Sequence, residues 1–145
     1  EDFNKAIEIN SHSLDFFHRA ECKYELEDYD GALYDINKSL QISPKKIHPL
    51  YLRVYIKFEI EDNQGAIEDL DELIEIKPYL DEYYEMRGEC KLNLKQYKGA
   101  IEDFNKAIEI NPENEESIKL RKQSMQKLDD ISDAFINSLL LKLSV

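Results

Sequence analysis

EDFNKAIEIN occupies residues 1–10 and occurs again at residues 102–111. A match of ten residues within a chain of 145 is not a chance event, so the string belongs to a repeated unit. The prolines Pro44, Pro78 and Pro112 lie 34 residues apart, which sets the length of that unit. Six further columns are identical in three copies: Arg19, Arg53, Arg87; Lys23, Lys57, Lys91; Gly31, Gly65, Gly99; Ala32, Ala66, Ala100; Asp35, Asp69, Asp103; Ile42, Ile76, Ile110.

Each unit has the pattern of two helices joined by a turn. In the last unit, Phe104 and Ala107 share one apolar face of the predicted second helix. That helix ends at Asn111-Pro112, because proline lacks an N–H and disfavours helix in the residue before it. One such pair cannot bury its apolar stripe alone. Stacked neighbouring pairs form a continuous core instead.

The unit resembles the tetratricopeptide repeat, whose pattern is W-x2-L-G-x2-Y…A-x3-F…P. The resemblance covers residues 1 to about 128 and implies an all-α fold, a right-handed α-solenoid of helix-turn-helix repeats. Arg and Lys stand where the family has Leu and Tyr. The matching positions are Phe16, Arg19, Ala20, Lys23, Ala32, Ile36, Pro44; Leu50, Arg53, Val54, Lys57, Ala66, Leu70, Pro78; and Tyr84, Arg87, Gly88, Lys91, Ala100, Phe104, Pro112.

This register divides the chain into five segments. Residues 1–12 form the second helix of an incomplete leading repeat. Complete repeats follow at 13–46, 47–80 and 81–114, and residues 115–145 form a C-terminal capping helix with an apolar tail.

The N-terminal segment is expected to be a helix that ends at a turn at Ser11-His12. An intact array would not begin half-way through a unit, so either the chain belongs to a longer array or a partner supplies the missing helix. The N-terminal segment keeps an apolar stripe that would normally pack on that first helix, formed by Phe3, Ala6, Ile7 and Ile9. Because an array presents different faces at its two ends, this stripe favours head-to-tail association.

The C-terminal segment carries more apolar surface than a capping helix needs. Ile118, Met125 and Leu128 are predicted to face the core. The segment beyond them either folds back on the array or contacts another chain. Its apolar residues are Ile131, Phe135 and Leu139 on one row, and Ile136, Leu140 and Leu143 on the next.

The recurring Arg and Asp columns allow two interpretations. In the first, the long stems of Arg and Lys replace apolar packing while their charged ends reach water. In the second, Arg19, Arg53 and Arg87 each pair with the Asp of their own repeat. The middle repeat departs most from the family pattern, with Val54 at a small-residue position and Asn63 at the turn tyrosine position.

Composition and motifs argue against several functions. The net charge of −12 disfavours nucleic acid and anionic membranes as partners. The longest apolar run is too short to span a membrane. The three histidines are scattered, no phosphate loop or nucleophile motif occurs, and we expect no enzyme, metal or cofactor site. Cys22 and Cys90 share a column and are predicted to be small buried residues.

In the tetratricopeptide family, first helices line a concave face that binds peptides. The resemblance implies that this face carries an aromatic half and an acidic half. Some members of the family bind acidic tails through a clamp of Lys, Asn and Arg, and none of the corresponding positions here is basic, so capture of a carboxylate tail in that mode is rejected. The predicted partner-binding residues are Phe17, Glu21, Tyr51, Tyr55, Glu82, Glu85 and Glu89.

The predicted function is a non-catalytic scaffold or adaptor module that binds a protein or peptide rich in basic and apolar residues. Two alternatives stay open. One is a self-assembly element that forms a homo-oligomer through its terminal helices, and the other is a regulatory repeat array within a larger enzyme.

Overall fold

The computed structural model describes the backbone of residues 2–143 and the side chains of residues 12–136. Within that range every regular element is a helix, which confirms the all-α prediction. The helices are α1 (Asp2–Glu25), α2 (Tyr29–Ile42), α3 (Ile47–Glu59), α4 (Asn63–Ile76), α5 (Asp81–Asn93), α6 (Tyr97–Ile110) and α7 (Glu115–Leu143). None of them is both long enough and apolar enough to cross a membrane.

The helices belong to two compact units, Glu1–Pro78 with α1 to α4 and Tyr79–Val145 with α5 to α7. In the first unit, Ala20, Ala32, Ile36 and Ile56 are fully buried, and partly buried side chains such as Leu52 pack against them. In the second unit, the core joins Ala100, Phe104 and Leu120. Each core therefore combines a helical pair with the first helix of the next element, which is how stacked repeats share a core.

The turn inside each repeat has the same construction. Glu27, Glu61 and Lys95 occupy one column and have φ values of 58°, 59° and 60°. Asp28 or Asp62 is the N-cap residue of the second helix, and its carboxylate accepts a hydrogen bond of 3.0 Å from the N–H three residues on. Such a side chain satisfies a helix N–H that has no backbone partner.

Glycine follows this cap because a side chain would not fit. A Cβ at Gly31 would lie 2.1 Å from the Asp28 carboxylate, and one at Gly65 would lie 2.2 Å from that of Asp62. In the third repeat Gln96 stands at the cap position and its side chain makes no capping hydrogen bond.

At the N-terminus the structure differs from the sequence prediction. Helix α1 runs without interruption from Asp2 to Glu25, so no turn separates residues 1–12 from the following repeat at Ser11-His12. The residue after Asn111 is proline, which ends the helix, whereas the residue after Asn10 is Ser11. Because Ser11 has a backbone N–H, the helix can continue through it. The side chains of Phe3, Ala6, Ile7 and Ile9 lie outside the described residues.

At the other end α7 is one helix, and it presents another face to the core than predicted. Ser117, Leu120 and Ser124 are buried, whereas Ile118 and Met125 are 41% and 50% exposed. The small serines bring α7 close to its neighbours, and the Ser124 hydroxyl donates to the Leu120 carbonyl at 2.8 Å. The prediction for Ile118 and Met125 is therefore wrong, and Leu128 is half-buried.

The described part of the apolar tail does not fold back. Ile131, Phe135 and Ile136 are 53%, 65% and 52% exposed along α7. The side chains of Leu139, Leu140 and Leu143 lie outside the described residues.

The two cysteines also differ from each other. Cys90 is buried as predicted, but Cys22 is exposed. In α3 the same column holds Ile56, which packs on the preceding helical pair. Among the described side chains, none covers that column in α1.

Candidate partner-binding surfaces

An ionic cluster fixes the two helices of every repeat. Each aspartate of the Asp35, Asp69 and Asp103 column is buried and accepts two hydrogen bonds from the arginine sixteen residues earlier. The Nε–Oδ2 distances are 2.6 Å for Arg19–Asp35, 2.8 Å for Arg53–Asp69 and 3.0 Å for Arg87–Asp103. The pairing interpretation of the Arg and Asp columns is confirmed.

The lysine column completes these clusters, which the sequence interpretation missed. The Nζ atoms of Lys23, Lys57 and Lys91 lie 2.9, 2.7 and 2.7 Å from the Oδ2 atoms of the same aspartates. The threefold identity of the lysine column was the available signal. Lys57 also donates to the Gly65 carbonyl at 2.9 Å, which ties the first helix to the start of the second.

Hydrogen bonds from Arg19 hold the pKa of the Asp35 carboxyl below its ordinary value, although burial opposes them, and Lys23 adds to the effect. Arg19 and Lys23 are thus both paired with Asp35 inside the repeat. The clusters orient the first helices, and the residues predicted to bind a partner lie on other faces of those helices.

In the first unit, aromatic side chains project from α1 and α3. The rings of Tyr51 and Tyr55 meet edge to face with centroids 4.9 Å apart, and their hydroxyl oxygens are 3.0 Å apart. Phe17 is half-buried, and Glu21 is exposed with its carboxylate 2.9 Å from Nδ1 of His18. Two of the four predicted residues in this unit, Tyr51 and Tyr55, are therefore in direct contact.

A cavity of about 300 Å³ opens between α1 and α3. Its lining is mostly apolar, and two buried serines lie at its base. Ser39 donates to the Ser13 carbonyl at 2.8 Å, so these hydroxyls are already satisfied. The side chains that offer contacts to a ligand are Leu14, Phe17, Lys46, Ile47, His48 and Pro49.

Sequence reasoning found Phe17 but not this cavity. Ile47 and Pro49 fall outside the columns that the family resemblance marks as exposed. Pro49 lies in the first turn of α3, where its missing N–H costs no helical hydrogen bond, so it leaves no sequence pattern that marks a cavity.

In the second unit, the acidic residues of α5 are partly enclosed by α7. Glu82 is exposed, whereas Glu85 and Glu89 are half-buried. The Ser117 hydroxyl donates to Glu85 Oε2 at 2.9 Å. Burial raises the pKa of Glu89, the charges of Glu85 and Glu116 add to the rise, and Lys119 opposes it. This surface therefore carries concentrated negative charge that a cation would relieve.

The described side chains contain no group of three or more His, Cys, Asp or Glu placed to hold a metal ion. The expectation that the chain has no metal or cofactor stays a prediction.

Comparisons with known proteins agree with this architecture. A model of the tetratricopeptide repeat family matches residues 82–114. The TPR repeat-containing protein MJ1428 of Methanocaldococcus jannaschii is 44% identical over 54 residues, which are 37% of this chain and 10% of that protein. The chain thus spans only a small part of that relative's length.

Solved structures of the same fold are similar over most of the chain. The first TPR of Spaghetti (RPAP3), bound to the HSP90 peptide SRMEEVD, has a TM-score of 0.73 at 18% identity, covering 83% of this chain and 95% of that one. The Sgt2 TPR domain from Aspergillus fumigatus has a TM-score of 0.70 at 18% identity, covering 83% and 82%. The resemblance seen in the sequence is confirmed for the matched repeat and for the fold: residues 82–114 match the tetratricopeptide repeat family, and the helices have the fold of solved TPR domains.

Proposed function

We propose that this chain is a non-catalytic interaction module that binds a peptide or protein segment on its first helices. The observation that carries the proposal is the Tyr51–Tyr55 pair on α3 together with an apolar cavity, lined by Phe17, between α1 and α3. Aromatic residues around a pocket are the usual energetic anchors of protein interfaces. The cavity has the volume of a site for one large apolar side chain of the partner.

The charge of the chain favours a partner with basic residues. The whole chain has a net charge of −12. The expected contact positions contribute to it through Glu21 in the first unit and Glu82, Glu85 and Glu89 in the second. The RPAP3 domain binds an acidic peptide, SRMEEVD. Here the positions expected to contact a partner carry aromatic and acidic side chains, so we expect the opposite preference.

Fluorescence anisotropy with two labelled peptides of equal length tests this proposal. One peptide carries Lys, Arg and Phe residues, and the other is SRMEEVD. We expect the basic peptide to bind more tightly, and tighter binding of SRMEEVD would contradict the proposed charge preference.

A double variant tests the site itself. Tyr51→Ala/Tyr55→Ala should weaken binding of the basic peptide by about 2 kcal/mol, roughly thirtyfold in Kd, because it removes a pair of aromatic anchors. Tyr34→Ala/Tyr79→Ala is the matched control, since both tyrosines are exposed outside this surface. Equal affinities for the two variants would place the binding site elsewhere.

Self-assembly is a second candidate because Ile131, Phe135 and Ile136 are exposed on α7. A contact between copies through this helix would bury them. Light scattering over a range of concentrations tests it, and a mass that stays monomeric throughout would exclude it.

A further inference from the structure

The first half of α7 carries the features of a first helix. Arg121 continues the column of Arg19, Arg53 and Arg87 at the same spacing of 34 residues. Its Nη1 donates to Asn105 Oδ1 at 3.0 Å, and Arg53 Nη1 donates to Asn37 Oδ1 at 2.8 Å. Each of these bonds reaches sixteen residues back, to the second helix of the preceding repeat. The start of α7 therefore contacts α6 in the second unit in the same way as α3 contacts α2 in the first.

This first helix lacks the second helix that would cover it. Leu50 and Tyr84 are buried at 1% and 8% exposure, whereas Ile118 in the same column is 41% exposed. Met125, in the column of the cluster lysines, is 50% exposed. The uncovered face is thus the face that α4 and α6 cover in the complete repeats.

The sequence after Leu128 retains the columns of a turn and a second helix. Asp129 stands in the column of Glu27, Glu61 and Lys95, the residues with positive φ. Aspartate adopts that conformation more readily than Glu or Lys.

The next residues match as well. Asp130 stands in the cap column of Asp28 and Asp62. Ala134 continues the column of Ala32, Ala66 and Ala100, which are all fully buried. Phe135 occupies the apolar column of Leu33, Ile67 and Ile101.

The departures in this segment explain why α7 continues as one helix without a turn at Asp129-Asp130. Asp133 replaces the glycine column, and a Cβ at Gly31 would lie 2.1 Å from the capping carboxylate. The cap of Asp130 is therefore less favourable than those of the complete repeats. The ionic cluster is incomplete here, since Met125 replaces its lysine and Asn137 replaces its aspartate. One positive and one negative charge are lost together, so no aspartate is left without its lysine.

We propose that α7 is a cryptic fourth repeat that bends at Asp129-Asp130. In the bent form, residues 131–143 lie as a second helix on the face of Ile118 and Met125. This conformation goes beyond the proposed function and concerns a different surface. It buries apolar side chains of both halves of α7, including Phe135, that the straight helix leaves in water. The chain thus has two forms, one that exposes the apolar stripe of α7 and one that hides it.

A disulfide between engineered cysteines distinguishes the two forms. Lys122 and Ser138 occupy the columns of Gly88 and Phe104, where a Cβ on the glycine would lie 2.6 Å from the Phe104 ring. In a straight helix, residues sixteen apart are separated by about 24 Å, too far for a disulfide. The pair Lys122→Cys/Ser138→Cys is made in a Cys22→Ser/Cys90→Ala background and oxidised, and mass spectrometry and gel mobility report the bond.

The control pair is Gln123→Cys/Ser138→Cys, which shifts one cysteine to the column of Tyr55 and Glu89, away from the second helix. We expect an intramolecular disulfide in the first pair and its loss in the control. Asp133→Gly, which restores the glycine column, should increase the yield. Asp129→Ala/Asp130→Ala, which favours the straight helix, should decrease it.

Several results would overturn the proposal. They are an absence of the intramolecular bond even with Asp133→Gly, equal yields in the two pairs, and a bond that forms between two chains, which would mean that a second copy covers the face. Backbone NMR couplings of Asp129 in the unmodified chain give an independent reading. A positive φ in part of the population supports the bent form, and a purely helical φ contradicts it.

Discussion

Within a repeat, a small residue of the first helix lies against a larger residue of the second. Gly88 faces Phe104, and a Cβ on the glycine would lie 2.6 Å from the ring. Ala20 and Ile36 occupy the same columns and share one buried cluster. The middle repeat accommodates a bulkier pair, Val54 and Leu70, and both are fully buried. Val54 is therefore a core residue, and its partner in the middle repeat is Leu70.

The close fit of Gly88 gives a testable prediction. Gly88→Ala should lower the free energy of unfolding by about 1–2 kcal/mol, because overpacking outweighs the gain in helix propensity. Adding Phe104→Ile recreates the pair of Ala20 and Ile36 and should restore much of the loss, which urea denaturation of the single and double variants measures.

Gly99→Ala is the matched control for that series. A Cβ at Gly99 would lie 3.2 Å from Cδ of Lys91, whose Nζ pairs with Asp103, and this approach is looser than the one at Gly88. This variant should therefore cost less stability than Gly88→Ala. Strict additivity of Gly88→Ala and Phe104→Ile would show that the two residues do not act as a packing pair.

The ionic cluster at Asp35 predicts a dependence on acid. Because the pKa of Asp35 is lowered in the folded chain, its contribution is full above the ordinary pKa of Asp and is lost as the pH falls through the folded value. Asp35→Asn should lose about 2 kcal/mol of stability at neutral pH and show a flatter acid dependence. Denaturation at several pH values measures both.

Asp30→Asn is the control for this variant, since Asp30 is an exposed residue in the first turn of α2. It should lower the stability far less than Asp35→Asn does. If the free energies of unfolding of the wild type and of Asp35→Asn differ by a constant amount down to acid pH, the role given to Asp35 is contradicted.

At the scale of the helices, the three inner turns differ in one capping residue. Asp28 and Asp62 cap α2 and α4, whereas Gln96 stands before α6 without a side-chain cap. Gln96→Asp should raise the stability of the second unit by about 1 kcal/mol, because a carboxylate would accept from an unsatisfied N–H of α6. Thermal unfolding followed by circular dichroism measures the shift.

Gln96→Ala should change the melting temperature little, since the glutamine provides no cap. An unchanged melting temperature in Gln96→Asp would mean that α6 begins without need of a side-chain cap.

Helices were predictable where short-range signals define them. The columns of glycine, alanine and proline mark the turn, start and end of α2, α4 and α6, because each residue has a local conformational reason for its position. At α7 two apolar registers were available, and Ile118 and Met125 gave the wrong one. Buried serines at 117 and 124 leave no apolar signal, so only the neighbouring helices reveal that face.

For the whole molecule, the excess of negative charge predicts how binding responds to salt. Affinity for the basic peptide should fall as salt rises, because screening shortens from about 10 Å at 0.1 M to about 3 Å at 1 M. Binding that depends on the aromatic pair and the cavity should persist. Titrations in increasing sodium chloride measure this.

The comparison for that titration is a peptide in which neutral residues replace Lys and Arg. Its affinity should be nearly independent of salt. Equal salt dependence of the two peptides would indicate that the charges of the chain do not take part in binding.

The candidate site was predictable only in part. Family columns identified Phe17, Tyr51 and Tyr55 as residues of the first helices, but the cavity requires α1 and α3 to be placed side by side. The enclosure of Glu85 by Ser117 likewise depends on the register of α7. Contacts between helices that are distant in sequence carry no local pattern, which is why both were missed.

The difference between identical ionic clusters and differing packing pairs has a consequence for genes built from repeats. Recombination that exchanges whole repeats preserves Ala20 with Ile36 and Gly88 with Phe104. A crossover within the turn would instead join Ala20 to Phe104, which overfills the core, or Gly88 to Ile36, which leaves a void. Arg, Lys and Asp would still meet in either product. Exchange at the boundaries between repeats therefore preserves the packing pair inside each repeat.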